Sequence, residues 1–197
     1  MDKPKVIVVC GPTASGKTAL SIELAKKIDG EIISCDSMQI YKDMNIGTAK
    51  VTKSEMQGIK HYLVDFVSPD TRYSVADYKT DAEKAIENII SKGKIPIIVG
   101  GTGLYVDSLI YGIEYPEIKF DEEYKKLEKE AEEGLENLYN KAKEIDEQAM
   151  QKISINDRKR IIRVLEIYHA TGKNKTEQEK ESRKKEVKYD YKIFAIN

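Results

Sequence analysis

Short apolar runs alternate with amphipathic stretches over the first 114 residues of the chain. The clearest runs are residues 6–10 and 95–99, which are rich in Val and Ile and contain no charged residue. Uninterrupted runs of this kind are typical of strands that are buried on both faces of a parallel sheet. Two further short strands are predicted at residues 32–34 and 61–67.

The stretches between these runs repeat apolar residues at helical spacing. A first helix is predicted after residue 18. A second begins at Ser74, a good N-cap with Asp77 placed as its capping-box partner, and ends at Gly93. Strands that alternate with helices predict an α/β fold with a doubly wound parallel sheet flanked by helices, and ligands of such sheets bind at the carboxyl ends of the strands.

The pattern changes after about residue 115, where Glu and Lys become frequent. A helical stripe is predicted there from Tyr124, Leu127, Ala131, Leu135 and Leu138. A second helix is predicted from a cap at Asn156 or Asp157 to Gly172. Residues 176–188 are almost wholly polar and predict an exposed helix end or a mobile segment. We therefore predict a core at residues 1–114, a helical insertion at 115–188, and a strand at 189–197 that returns to the core.

Composition narrows the class of protein. A hydrophobic share of 40% supports a packed core, and a net charge of −1 excludes a protein that is basic throughout, although a local basic patch can still bind nucleic acid. Cys10 and Cys35 lie at the ends of apolar runs and are expected to be reduced, small buried residues. Because no apolar stretch approaches the length of a membrane span, we expect a cytoplasmic protein. We also expect a monomer.

Eight residues after the first strand match the phosphate-binding pattern G-x-x-x-x-G-K-[ST]. They are Gly11, Pro12, Thr13, Ala14, Ser15, Gly16, Lys17 and Thr18. Glycine lets successive N–H groups face phosphate oxygens, and the positive end of the following helix points at the same oxygens. Lys17 adds a positive charge, and Thr18 is a candidate ligand for Mg²⁺. The pattern predicts a bound phosphate group without identifying the compound.

A second candidate follows the second predicted strand, where Asp36 and Gln39 occur in the segment DSMQIY. A carboxylate at the end of a strand can accept a proton from an attacking group or reach a metal ion. Taken alone, Asp36 is equally well explained as a turn former or a helix cap. Gln39 offers a paired donor and acceptor that suit an adenine edge.

Four segments together resemble the tRNA dimethylallyltransferase family in order and spacing. They are GPTASGKT at 11–18, DSMQIY at 36–41, IGTAK at 46–50 and GGTGLY at 100–105. The segments YSVADY at 73–78 and NDRKRIIR at 156–163 extend the resemblance over essentially the whole chain.

The resemblance implies a P-loop-kinase-like core with a helical insertion that binds the anticodon stem-loop of tRNA. It also implies an activity, the transfer of a dimethylallyl group from dimethylallyl diphosphate to the N6 amine of the adenosine 3′ of the anticodon, with release of diphosphate. Asp36 would then be the general base, and Thr102 would lie near the reacting bond. Lys17 and Mg²⁺ held by Thr18 would offset charge on the departing diphosphate.

Two groups of tRNA contacts are implied by the same resemblance. Around the flipped base these are Asp36, Ser37, Met38, Gln39 and Thr102, with Gly47, Thr48 and Lys50 beside them. In the insertion they are Lys159, Arg160, Ile161, Ile162 and Arg163. Arg160 and Arg163 are one turn apart on a helix and share a face that suits RNA phosphates. Without the resemblance, a solvated helix face is the simpler explanation.

Members of this family normally continue well beyond the position of Asn197, with further helices and an arginine that helps to hold the diphosphate. We therefore expect the catalytic centre, but not full activity, within these 197 residues. Three alternatives stay open: a P-loop small-molecule kinase, an adenylate prenyltransferase, and a non-catalytic RNA-binding protein. The DSMQ and GGTGLY segments weigh against the first, and the basic helix weighs against the second. Intact Lys17, Thr18 and Asp36 weigh against the third.

Overall fold

The computed structural model describes residues 3–113, 115, 122–182 and 186–196. The chain divides into two compact units, one formed by Met1–Gly112 with Glu186–Asn197 and the other by Ile113–Lys185. The predicted boundary at residue 114 and residues 183–185 of the predicted polar segment lie outside the described residues.

The first unit contains a five-stranded sheet in which every pairing is parallel. Its strands are β1 (Lys5–Cys10), β2 (Gly30–Ser34), β3 (His61–Tyr62), β4 (Ile95–Gly100) and β5 (Asp190–Ala195). They are arranged in the order β3-β2-β4-β1-β5. The predicted α/β class is confirmed. The last strand, β5, pairs with β1.

Helices cover both faces of this sheet. Neighbouring residues of a strand point to opposite faces, so each strand packs against helices on both sides. They are α1 (Lys17–Ile28), α2 (Val75–Ser91) and α3 (Gly103–Ile110). Ile33 and Ile98 belong to a buried cluster with residues of α2 and α3, whereas Ile32 and Ile97 pack with residues of α1. The capping box predicted at the start of α2 is confirmed, since the Asp77 N–H donates to Ser74 Oγ at 3.2 Å and the Ser74 N–H donates to Asp77 Oδ2 at 2.8 Å.

The predicted third strand is wrong beyond Tyr62. Leu63 and Asp65 adopt left-handed backbone angles, with φ of 58° and 59°, which interrupt the extended conformation. Farther along, Val67 forms only an isolated parallel bridge with Tyr41. The residues after β3 therefore form a turn that packs against the segment after β2.

The second unit is helical. It contains α4 (Glu122–Ile145), α5 (Glu147–Met150), α6 (Arg158–Thr171) and α7 (Lys175–Ser182). The predicted stripe on α4 supplies Leu127, Ala131 and Leu138 to a buried cluster that also includes residues of α6. Both predicted ends of α6 are confirmed, since Asp157 caps its start and Gly172 ends it with a φ of 68°. Within the part of the chain that is described, no helix is long and apolar enough to cross a membrane.

Two backbone segments of the first unit approach each other closely where β4 ends. A methyl group built on Gly100 would lie 2.1 Å from the carbonyl oxygen of Cys35, the residue after β2. The Cys35 N–H donates to the Val99 carbonyl at 2.7 Å, and the Thr102 N–H donates to the Cys35 carbonyl at 3.2 Å. Only glycine fits at position 100, and its small size brings the segments after β2 and β4 together.

We predict that Gly100→Ala lowers the free energy of unfolding by about 1–3 kcal/mol or more, because the added methyl overlaps a backbone that is fixed in the sheet. Urea unfolding of purified protein measures this change. Gly103→Ala is the matched control, since a methyl at Gly103 meets no atom within 4 Å and alanine favours the helix. Equal loss of stability in both variants would contradict the prediction.

Candidate functional site

The predicted phosphate-binding loop lies between β1 and α1. Gly16 stands at the helix N-terminus with a φ of 82°, and Ala14 also has a left-handed φ of 63°. Lys17 folds back over the loop, where its Nζ contacts the Pro12 carbonyl oxygen and lies 3.4 Å from Ser15 Oγ. The first turn of α1 contains no acidic residue. This arrangement directs a positive helix end and an ammonium group to one place, as an anion requires.

A cavity of 610 Å³ opens beside this loop. The loop contributes Thr13, Ala14, Ser15, Gly16, Lys17 and Thr18 to its lining, whereas Gly11 and Pro12 are not lining residues. The segment after β2 contributes Asp36, Met38 and Gln39, and the turn that follows contributes Gly47 and Thr48. Gly100 and Gly101 complete the lining at the end of β4. The structure therefore brings the predicted phosphate loop and the predicted general base into one cavity.

Asp36 is a turn former, one of the explanations that its sequence position left open. Its Oδ1 accepts the N–H groups of Met38 at 2.8 Å and Gln39 at 3.3 Å, which is the bonding of a turn former. Its Oδ2 accepts no hydrogen bond from the described residues. One oxygen thus fixes the carboxylate while the other is available to a ligand in the cavity.

Thr102 lies behind this segment and is not one of the residues that line the cavity. Its Oγ1 accepts the Ser37 N–H at 3.0 Å and lies 3.4 Å from Ser37 Oγ. Thr102 therefore connects the end of β4 to the residue that follows Asp36. The role of Thr102 near the reacting bond stays a prediction.

The two cysteines are free thiols, as predicted. Cys35 is fully buried, and burial raises its pKa to about 12. A thiol with such a pKa stays protonated at neutral pH and is a poor nucleophile. Covalent catalysis by Cys35 is therefore not a function that this site supports.

Gln39 differs from its expected use. Its Nε2 donates to the carbonyl oxygens of Thr48 at 3.1 Å and Ala49 at 3.2 Å. The amide nitrogen is thus occupied within the protein, and the two-point contact with an adenine edge expected from the sequence is not available in this conformation. Gln39 instead closes the loop of residues 36–50, which we call the acceptor loop.

Lys50 was expected beside the flipped base, but it does not line the cavity and is instead a structural residue of the acceptor loop. Its side chain is only 5% exposed, and its Nζ donates to Asp65 Oδ1 at 2.5 Å and to the Tyr41 carbonyl at 2.6 Å. The hydrogen bond from Lys50 lowers the pKa of Asp65 below its ordinary value of 3.8. A lysine in a polar loop gives no sequence sign of burial, and its partner lies in a turn that was predicted to be a strand.

His61 also lines the cavity, although the sequence suggested no role for it. Burial lowers the pKa of His61, so the ring is neutral at pH 7. Its Nδ1 lies 2.9 Å from the Ile59 carbonyl oxygen, which can only accept a hydrogen bond. Nδ1 therefore carries the proton, and Nε2 is left as an acceptor.

The second unit holds the predicted basic segment on α6. Lys159 and Arg160 are exposed, and Arg160 pairs with Asp157 at 3.3 Å. Arg163 pairs at 3.4 Å with Glu166, which is 4% exposed.

Two of the RNA contacts predicted in this segment do not agree with the structure. Ile161 and Ile162 are 0% and 1% exposed and belong to the helical core, so their side chains do not reach an RNA from this conformation. Apolar side chains on the inner face of α6 stabilise the unit instead.

Comparison with known proteins gives consistent matches. A family model described as IPP transferase matches residues 39–197. A tRNA dimethylallyltransferase of Acetivibrio thermocellus is 54% identical over 193 residues, which cover 97% of this chain and 62% of that protein. Another, of Thermoanaerobacter sp., is 50% identical over 171 residues, which cover 86% of this chain and 54% of that protein. The chain thus spans less than two thirds of the length of these relatives.

Solved structures agree with these matches. A tRNA delta(2)-isopentenylpyrophosphate transferase of Staphylococcus epidermidis is 44% identical with a TM-score of 0.60, and the match covers 98% of this chain and 63% of that one. A eukaryotic dimethylallyltransferase described as acting on tRNA is 36% identical with a TM-score of 0.84, over 98% of this chain and 48% of that one.

We predict that Lys50→Met lowers the free energy of unfolding by about 1–3 kcal/mol, because the Tyr41 carbonyl loses its charged donor. Urea unfolding at neutral pH tests this expectation. Lys53→Met, at an exposed position three residues away, should stay within about 0.5 kcal/mol of wild type. An unchanged free energy of unfolding in Lys50→Met would show that the ammonium group does not stabilise the acceptor loop.

Asp65→Asn tests the pH dependence of the same pair. Because the folded-state pKa of Asp65 lies below its unfolded value of 3.8, the charged pair stabilises the protein above pH 3.8, and this contribution is lost as pH falls through the lowered pKa. Wild type should therefore exceed Asp65→Asn in stability by a constant amount down to about pH 5, and the difference should shrink below pH 3.8. Urea unfolding over this range measures it, and a pH-independent difference would contradict the assignment.

Proposed function

Because the chain belongs to the IPP transferase family, we propose that it transfers a dimethylallyl group from dimethylallyl diphosphate to the N6 amine of the adenosine 3′ of the anticodon in tRNA. One observation supports this most strongly. The Asp36 carboxylate and the phosphate-binding loop line the same cavity. A diphosphate bound by the loop would thus have a proton acceptor close to its reacting carbon.

The proposed reaction is a substitution at an allylic carbon. The N6 lone pair attacks C1 of the dimethylallyl group, the C1–O bond breaks, and its electron pair leaves with the diphosphate. The amine proton passes to Asp36, whose Oδ2 is the oxygen without a protein donor among the described residues. The phosphate loop therefore holds a leaving group and transfers no phosphoryl group.

The diphosphate end of the donor needs compensation of its negative charge. The N–H groups of the loop, the positive end of α1 and the Lys17 ammonium would supply it as the C1–O bond breaks. Mg²⁺ bound to the diphosphate would add to that compensation. Thr18 lines the cavity and offers a hard oxygen ligand, and the described residues contain no cluster of three His, Cys, Asp or Glu side chains for a metal. This donor set fits Mg²⁺, which keeps several waters and binds mainly through substrate phosphates.

The acceptor must reach this cavity as an unstacked base. An exocyclic amine inside a base stack cannot contact an electrophile in a protein cavity, so the adenine has to be flipped out. Met38 lines the cavity beside Asp36, and Ser37 is fixed by Thr102, so this segment would contact the flipped base. Lys159, Arg160 and Arg163 on α6 would contact the phosphates of the stem-loop.

Transfer of label tests the proposal. A version of the protein that has the full length of its relatives is incubated with Mg²⁺ and either labelled dimethylallyl diphosphate or γ-labelled ATP, and with either tRNA or AMP as acceptor. We expect label to move only from the prenyl donor to tRNA. Transfer of the γ-phosphate to a small acceptor would establish a kinase instead, and prenylation of AMP would establish an adenylate prenyltransferase.

Asp36→Asn should lower the rate of the chemical step by about a hundredfold or more, with little change in the affinity for the prenyl donor. Asparagine keeps an oxygen for the Met38 and Gln39 N–H groups, so the turn is retained. Single-turnover kinetics separate the chemical step from binding. Equal losses in rate and donor affinity would remove Asp36 from the general-base role.

Lys159→Gln with Arg160→Gln should weaken tRNA binding and reduce the slope of log K against log salt by about 1–2. We leave Arg163 unchanged because its removal would strand the buried Glu166 carboxylate. Binding titrations at several salt concentrations measure the slope. Lys143→Gln, an exposed position on α4, is the control, and a slope like that of wild type in the double variant would make α6 a structural element only.

A further inference from the structure

The acceptor loop presents an unusual apolar surface. Three of the large apolar side chains exposed on the described part of the molecule lie within nine residues of one another, at Met38, Met44 and Ile46. Ile46 is 97% exposed, the highest exposure of any of these side chains. Single exposed apolar residues are common on protein surfaces, but a group of them beside a binding cavity indicates a contact surface.

Ile46 is held in this position by a dense set of hydrogen bonds. The Ala49 N–H donates to the Ile46 carbonyl at 3.2 Å, and the Lys50 N–H donates to the Asn45 carbonyl at 3.1 Å. Thr48 Oγ1 donates to the Met44 carbonyl at 2.5 Å. The bonds of Gln39 and Lys50 described above close the same turn. Ile46 therefore stands at the apex of a hydrogen-bonded turn, with its side chain exposed.

The apex also lies at the edge of the cavity. Gly47 and Thr48, the next two residues, line the cavity together with Asp36. A base that enters the cavity would thus pass close to Ile46, and the bases on either side of it would remain outside.

We infer that Ile46 is a wedge that enters the RNA base stack and fills the gap left by the flipped adenine. The inference rests on the proposed function, which requires that adenine to leave the stack. Flipping costs unstacking energy and leaves two bases without a neighbour. Proteins that unstack bases commonly insert an aliphatic side chain at the opened step, which restores contact without requiring a particular base. Ile46 has the chemistry, the exposure and the hydrogen-bonded support for this role.

An anticodon stem-loop that carries 2-aminopurine at the target position provides the test. This base fluoresces more strongly when it is unstacked, and it lacks the N6 amine, so it reports flipping without turnover. Binding of the wild-type protein should raise the 2-aminopurine fluorescence, because the base leaves the stack. Ile46→Ala at saturating concentration should give an amplitude at least about threefold smaller, because the flipped state loses its support. Ile46→Met, which keeps an aliphatic side chain, should restore most of it.

Prenyl transfer gives an independent readout. Ile46→Ala should lower kcat/KM for the unlabelled adenosine stem-loop by about tenfold, while the KM for dimethylallyl diphosphate stays unchanged. On a short single-stranded oligonucleotide of the loop sequence, where the target base is weakly stacked, the variant should be within about twofold of wild type. Ile193→Ala, another exposed isoleucine, on β5, is the matched control and should behave as wild type in both assays.

The outcomes distinguish failure of the proposed wedge from failure of the proposed function. Wild-type fluorescence and transfer in Ile46→Ala would overturn the wedge and leave the proposed function intact. Equal losses on the stem-loop and the single strand, together with a lower melting temperature, would show that Ile46 packs against protein and would also overturn the wedge. Absence of both transfer and fluorescence change in wild type would overturn the proposed function itself.

Discussion

The site depends on the contact between two backbones, that of β4 at Gly100 and that of Cys35 after β2. No side chain fits between them, so the two chain segments leave the sheet as one bonded pair. Thr102 then donates its N–H to Cys35 and accepts the N–H of Ser37, which extends the pairing past the end of the sheet. Asp36 lies between these two bonded residues. The sheet itself, through a steric constraint on one glycine, therefore determines where the carboxylate stands relative to the phosphate loop.

The donor side and the acceptor side of the proposed reaction are held in place by different interactions. The phosphate loop uses backbone dipoles and the end of α1, which are in place before any ligand binds and need little reorganisation. The acceptor loop has no regular secondary structure, and it gains comparable order from a buried ammonium group that joins Tyr41 and Asp65. Asp36 gains its own order from the two N–H groups on Oδ1. Preorganisation of this kind matters because a group that is misplaced by about 1 Å loses much of its catalytic effect.

The sequence predicted those features that depend on local pattern. The β-branched run at residues 6–10, the capping box at Ser74 and the phosphate loop all follow from neighbours in the chain, and the structure contains each of them. It failed at three places. The strand after His61 was overestimated because left-handed residues interrupt an apolar run. Gln39 was predicted to bind an adenine edge, but its Nε2 donates to the carbonyl oxygens of Thr48 and Ala49. The sequence pattern does not reveal these hydrogen bonds. Ile161 and Ile162 were grouped with their basic neighbours, although helical periodicity alone places them on the opposite face.

The contact between Gly11 and the end of β5 has a consequence for synthesis on the ribosome. A methyl at Gly11 would lie 2.3 Å from the carbonyl oxygen of Ile196, and the Ile196 N–H donates to the Cys10 carbonyl at 2.8 Å. The first residue of the phosphate loop is therefore braced by the residue that follows β5, which is translated only after the helical unit. Until then, a nascent chain exposes the unpaired edge of β1, a template for intermolecular strand pairing, while the helical unit emerges. Slow elongation through that helical segment would lengthen the exposure, so codon choice there bears on the yield of folded protein.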